Sequence, residues 1–196
     1  MHQLFYQAFS LVLRQLGPVP SPPTDAGGVS GAPALPSRAA TLYLVLAGGY
    51  DPRLVENREY FHELTTEATQ LGIMDQVRFM PSFSADQKSS LMKACVAVLY
   101  TPSNEHFGIV PIEAMAAGRP VIACNSGGPR ESVRHGVTGY LCESDPDEFA
   151  AAMIRLLSDE AAAAQMGEAA RLHACANFSR TAFGASLDAT LLSLIS

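Results

Sequence analysis

The sequence predicts an α/β domain, a parallel sheet of Rossmann-like type that ends in a run of helices. Two observations carry this. After Ala40, short β-rich apolar runs alternate with longer helical patterns, the rhythm of βαβ units around a parallel sheet covered on both faces. From Asp147 to Ser196 the chain is rich in Ala and Leu, which predicts two or three helices packed on that sheet. Hydrophobic residues make up 48% of the chain and charged residues 16%, the composition of a chain that buries a core. The 196 residues hold one ordinary domain, or one domain with an unstructured stretch, and leave no room for two complete catalytic domains.

The elements follow in order. Residues 1–16 read as an isolated amphipathic helix. Leu4 to Leu16 is apolar but lacks the basic start and small-residue cleavage site of a signal peptide, and it falls short of the roughly 20 residues of a membrane span. Residues 17–40, including GPVPSPPTDAGGVSGAPALPS, are crowded with Pro, Gly, Ser and Ala without apolar periodicity and read as a disordered linker. The domain proper is 41–196. It runs through TLYLVLAG, a helix from Tyr60 to Leu71, VRFM, a helix from Ala85 to Ala94, VAVLYTP, a helix from Pro111 to Ala117, PVIAC and YLCE. Tyr50-Asp51, after Gly48-Gly49, reads as a turn. A second turn is expected at Asn177-Phe178-Ser179, with the Ser179 hydroxyl capping the last helix.

Charge excludes some partners. A net charge of -6 and a pI near 5.3 argue against a broad grip on nucleic acid or anionic lipid, which favours clustered Lys and Arg. Cys95, Cys124, Cys142 and Cys175 are widely spaced, with no CxxC pair and no His at zinc-ligand spacing. They read as reduced thiols, three of them acting as small hydrophobes in apolar runs. His62, His135 and His173 show no partner in the sequence and read as surface residues, as does His106 in its loop.

The stretch that carries chemistry is TPSNEHFGIVPIEAMAA, directly after the apolar run VAVLY. In a parallel α/β sheet, ligands bind outside the carboxyl ends of the strands, so this loop is placed for binding. Glu105 and Glu113 are separated by seven residues. On one continuous helix they would share a face about 12 Å apart. Gly108 and Pro111 argue for a break instead, with Glu105 in the loop and Glu113 in the first turn of the next helix, so that both carboxylates can reach one ligand. Phe107-Gly108-Ile109-Val110 supplies backbone N–H groups at a helix N-terminus, suited to a diphosphate. Gly127-Gly128, after PVIAC, lies at the same sheet edge and could wrap a sugar or a phosphate. Each feature also has a plain structural reading: a first-turn Glu serves the helix dipole, and a Gly pair closes a turn.

Taken together, PSNEHFGIVPIEAMAAGRPVIACNSGGPRESVRHGVTGYL resembles the signature region of the retaining GT-B glycosyltransferases with the Glu-x7-Glu motif. It holds the Glu pair, the FG between them, the EAMAxGxPVIA helix and strand, the GGPxE loop and the GxxGxL hairpin in that order. The resemblance covers roughly Thr41 to Leu157, and makes the chain the C-terminal, donor-binding half of a GT-B fold. Within the family, LAGGYDPRLVENREYFHEL, VRFMPSFS and VLYTPSNEHFGIVPIEAM are similar to the α-1,3/α-1,6-mannosyltransferases of the dolichol-linked N-glycan pathway.

That resemblance implies GDP-mannose as donor, a dolichol-diphosphate-linked chitobiose already bearing one mannose as acceptor, and a place at the cytosolic face of the endoplasmic reticulum membrane. It implies that Glu105 is catalytic, beside the transferring mannose, and that Glu113 binds the donor ribose. Phe107, Gly108, Ile109 and Val110 would receive the diphosphate and sugar, with Gly127 and Gly128 beside them and Ser82 near the base. No metal or other cofactor is implied. Membrane association would come through a preceding part of the protein or through partner enzymes. The Arg and Lys that the family places on the diphosphate have no equivalent before Thr41, since Arg14 and Arg38 have the wrong surroundings. The expectation is therefore a truncated chain with little transfer activity alone, in which the strands TLYLVLA and VAVLYTP lack a common neighbour. A UDP-sugar donor, or a fragment that binds nucleotide-sugar without turnover, are the alternatives.

Overall fold

The structure, a computed structural model, describes residues 2–17 and 42–195. The linker expected over 17–40 lies, from residue 18 on, outside the described residues. The chain forms two compact units, one made chiefly of Tyr6–Phe83 and one chiefly of Ser84–Ser196.

The first unit begins in helix α1 (His2–Leu16), whose Tyr6, Ala8, Phe9 and Val12 are buried. Burial pushes the Tyr6 phenol pKa up, and the nearby Glu67 and Tyr60 push it further in the same direction. Strand β1 (Leu44–Gly48) and strand β2 (Val77–Pro81) pair in parallel, with Leu44 opposite Val77 and Gly48 opposite Pro81. Between them runs helix α2 (Val55–Gln70). It starts before the expected Tyr60 because the turn at Tyr50-Asp51 closes early: the Asp51 carboxylate accepts from the Arg53 N–H at 2.9 Å, and its carbonyl accepts from Leu54 N–H at 3.1 Å. Phe61 then packs between Tyr50 and Phe79, with ring centroids 5.7 and 4.8 Å away. Gly72, at φ +68°, ends the helix, a left-handed conformation that glycine adopts freely.

The second unit opens with helix α3 (Ala85–Ala94). Ser84 and Gln87 form a capping box there, each side chain accepting from the other's backbone N–H, at 3.2 and 2.8 Å. Strands β3 (Val98–Tyr100), β4 (Val121–Cys124) and β5 (Gly139–Cys142) make a parallel sheet in the order β3-β4-β5. β4 is central and buried along its whole length, which is why PVIAC reads as an unbroken apolar run. Helix α4 (Ile109–Ala116) connects β3 to β4, and a short helix α5 (Pro129–Ser132), absent from the sequence expectation, follows β4. Ala114, Met115, Val121, Ala123, Val133, Ala170 and Ala174 form the core.

Three helices close the chain: α6 (Pro146–Ser158), α7 (Glu160–Phe178) and α8 (Arg180–Leu194). Each begins on a side-chain oxygen. Asp145 accepts from Asp147 and Glu148 N–H, Asp159 from Ala162 N–H, and Ser179 from Ala182 N–H at 3.1 Å. The expected turn at Asn177-Phe178-Ser179 is confined to Ser179, since Asn177 and Phe178 stay helical. The strands expected to lack a common neighbour, β1 and β3, fall in separate sheets, β1-β2 and β3-β4-β5.

Cys124 and Cys142 are register partners on β4 and β5, both free thiols and both buried. Two histidines have partners that the sequence does not show. His173 Nε2 donates to the Ser132 carbonyl at 3.0 Å while its Nδ1 lies 3.0 Å from Asn177 Nδ2. His135 Nδ1 sits 3.1 Å from the Leu141 backbone. Both brace turns that sequence spacing does not reveal; His62 and His135 are exposed as expected, and His173 is half-buried.

Candidate functional site at the carboxyl ends of β3 and β4

The loop after β3 is held from below. Thr101 is buried and its carbonyl accepts from the Cys124 thiol at 3.2 Å. Asn104 turns at φ +64°, and its N–H donates to Ser126 Oγ at 3.4 Å. The Glu105 carbonyl accepts from Gly128 N–H at 2.9 Å. A Cβ on Gly127 would lie 2.2 Å from the Glu105 carbonyl oxygen, and one on Gly128 would lie 2.0 Å from that of Phe107. The Gly pair is therefore what lets the loop after β4 lie flat on the loop after β3. Asn104, Glu105, His106, Gly127, Arg130 and Glu131 line the open cleft that results, of about 640 Å³.

Gly108 ends the loop at φ +73°, and a Cβ there would come within 2.8 Å of the Tyr100 hydroxyl oxygen. The Tyr100 ring thus lies directly beneath the turn into α4. Burial raises its phenol pKa, and the Glu105 carboxylate adds to the rise. α4 begins at Ile109, so the first-turn N–H groups lack intrahelical acceptors, Pro111 having none to offer. Phe107 and Ile109 are exposed and Val110 is half-buried, while Phe107 meets Phe178 of α7 edge-on at 6.2 Å.

Glu113 is the fifth residue of α4, in its second turn and not its first as expected. The helix starts two residues ahead of Pro111 because Gly108 can take the left-handed conformation that opens it. Glu113 Oε1 accepts from Lys88 Nζ of α3 at 2.6 Å. Its Oε2 is buried and has no hydrogen-bond partner. A carboxylate has about four acceptor positions, so this buried oxygen is an unsatisfied acceptor. Sequence reading missed Lys88. It directly follows the Ser84–Gln87 capping box, which marks the start of α3 but not the partner, and the pairing spans 25 residues.

The structure thus brings together Glu105, Phe107, Gly127 and Gly128 through backbone contact, sets Gly108 on Tyr100, and turns Glu113 to Lys88. Ser82 belongs to the first unit. It sits at φ +54°, and its Oγ accepts from Tyr50 N–H at 3.1 Å and donates to the Tyr50 carbonyl at 2.7 Å. Among the described residues no group of three or more His, Cys, Asp or Glu is placed to hold a metal ion, and no helix is long and apolar enough to cross a membrane.

A parallel α/β unit whose paired loops meet at the carboxyl ends of two adjacent strands has the form of a nucleotide-binding domain. The profile of the glycosyl transferases group 1 matches residues 31–173, and the chain belongs to that family. It is 50% identical over 142 residues to the alpha-1,3/1,6-mannosyltransferase ALG2 of Homo sapiens, covering 72% of this chain and 34% of that protein. It is 46% identical over 126 residues to the protein of the same name in Dictyostelium discoideum, covering 64% and 30%. The chain spans about a third of the length of these curated relatives. Among solved structures, Anabaena Alr3699/HepE in complex with UDP is similar at TM-score 0.69 and 32% identity, over 78% of this chain and 41% of that one. The C-terminal domain of the glycosyl transferase group 1 family protein LpcC of Francisella tularensis shares the fold alone, at TM-score 0.69 and 20% identity, over 91% and 79%. The expected fold class holds: parallel sheets with flanking helices and a helical C-terminus, as in glycosyltransferase structures.

Proposed function

We propose that this chain is the donor-binding part of a retaining mannosyltransferase of early N-glycan precursor assembly, taking mannose from GDP-mannose to a dolichol-diphosphate-linked chitobiose–mannose acceptor. The observation that carries the reading is the Glu113 carboxylate, one oxygen held by Lys88 and the other without a donor, inside the segment shared with the mannosyltransferases. A vicinal ribose diol supplies the donors that such a carboxylate lacks. The free N–H groups at the start of α4 suit the charge that develops on a departing diphosphate. Glu105, on the loop that lines the cleft, would stand beside the transferring sugar. The acceptor and the endoplasmic reticulum membrane enter this reading through the sequence resemblance to the mannosyltransferases of the dolichol-linked N-glycan pathway, and the reading requires no metal or other cofactor.

A second reading keeps the site and changes the base, because the similar Anabaena structures are complexes with UDP and UDP-glucose. Calorimetric titration with GDP-mannose and with UDP-N-acetylglucosamine, in the presence of EDTA, separates the two. Selective binding of GDP-mannose, weakened by about 1.5–3 kcal/mol in Glu113→Ala, supports the proposal. Preference for the UDP-sugar overturns the donor while keeping the site. Binding untouched by Glu113→Ala overturns the site.

A further inference from the structure

Lys88 occupies the fourth position of α3, near the end of the helix where the macrodipole is positive and an acidic side chain is favoured. A cation at such a place goes against local preference, and its ion pair compensates only in part. The side chains of Lys88 and Glu113 keep 35% and 33% of their accessibility, an exposure at which an ion pair adds little to stability. Yet the contact is short, 2.6 Å, and goes to one carboxylate oxygen alone. The second oxygen is left buried and without a partner, an arrangement that native structures rarely keep without reason.

We infer that Lys88 is a positioning residue for nucleotide binding: by gripping Oε1 it fixes the orientation of the Glu113 carboxylate, whose side chain keeps 33% of its accessibility, for accepting a ribose hydroxyl. This rests on the reading of Glu113 as the ribose acceptor. Without the grip, the carboxylate samples several rotamers, and each binding event must order it again. A guanidinium can make the same grip and an apolar side chain cannot. Glu113 touches the ligand; Lys88 acts through Glu113.

The test compares GDP with 2′,3′-dideoxy-GDP, which lacks the ribose diol, by calorimetry on the whole chain and on Lys88→Met, Lys88→Arg and Glu113→Gln. The inference expects Lys88→Met to weaken GDP roughly tenfold, within the range of coupled neighbours. The same change should leave dideoxy-GDP binding unaltered, and Lys88→Arg should recover most of the loss. The melting temperature of Lys88→Met should stay within about 4 °C of the parent. Equal weakening of both nucleotides would assign Lys88 to the diphosphate field and overturn the positioning role, as would no weakening of either. If the unaltered chain binds both nucleotides equally, or binds neither, or if Glu113→Gln loses both alike, the ribose reading of Glu113 fails first and this inference goes with it.

Discussion

The Gly128 N–H donates to the carbonyl of Glu105 at 2.9 Å, so the residue expected to stand beside the transferring sugar is held by the loop of the neighbouring strand. Sequence reading gave the Gly pair a ligand to wrap. The geometry gives it a backbone to lie against.

Gly128→Ala therefore has no free space for its methyl group, which would lie 2.0 Å from the Phe107 carbonyl oxygen. Separating the two loops should cost about 1–3 kcal/mol, the range for overpacking, and should disturb the cleft at Glu105. Urea denaturation with a parallel nucleotide titration measures both. An unchanged midpoint together with unchanged binding would mean that the loops part freely and that the Gly pair has another role.

A second close approach lies away from the site. A Cβ on Gly167 of α7 would come 2.3 Å from the Gly118 carbonyl oxygen, where α7 crosses the end of α4. Gly167→Ala trades a favourable helix propensity, worth about 0.8–1 kcal/mol, against a backbone clash. The clash should win, lowering stability by about 1–3 kcal/mol while nucleotide affinity is kept in the folded fraction. A rise in stability would show that α7 shifts on α4 without cost.

Burial pushes the Cys142 thiol from its ordinary 9.0 up to about 12, with Glu148 and Cys124 adding to the rise and Arg155 opposing it. A group whose folded pKa is raised holds its proton more tightly in the folded chain. Its stabilising contribution is complete below about pH 9 and is lost as pH rises towards 12. Denaturation midpoints taken from pH 8 to 11 should therefore fall, about one group's worth more steeply in the parent than in Cys142→Ala. Identical slopes in the two chains would assign the alkaline loss to other groups, such as Cys95, Cys124 and Tyr6, which burial also raises.

The capping box at α3 should matter twice. Ser84→Ala removes the acceptor for Gln87 N–H and should lower stability by about 1 kcal/mol. Because Lys88 follows directly, fraying of this turn should also weaken GDP binding. A stability loss with unaltered affinity would separate the cap from the site.

The sheet strands, α3 and the Ser179 cap were legible because short apolar runs, helical patterns and a capping Ser act through neighbours in the chain. α4 was legible to within two residues, and the error came from treating Pro111 as the start when Gly108 opens the helix earlier. Lys88 was not legible. A Lys in a polar helical turn has no local mark that distinguishes a solvated cation from the partner of a carboxylate 25 residues on. The roles of His135 and His173 stayed hidden for the same reason, since their partners are backbone atoms of other segments.

By itself the sequence determined the α/β class and most of the order of the elements, and it singled out the segment of the candidate site, because apolar periodicity, capping residues and the Glu-x7-Glu spacing are properties of neighbours along the chain. Only the tertiary structure decided that Gly127 and Gly128 hold the Glu105 loop and that Lys88 grips Glu113. Those are contacts across 20 or more residues, where packing and backbone approach select the partner and no local propensity records it.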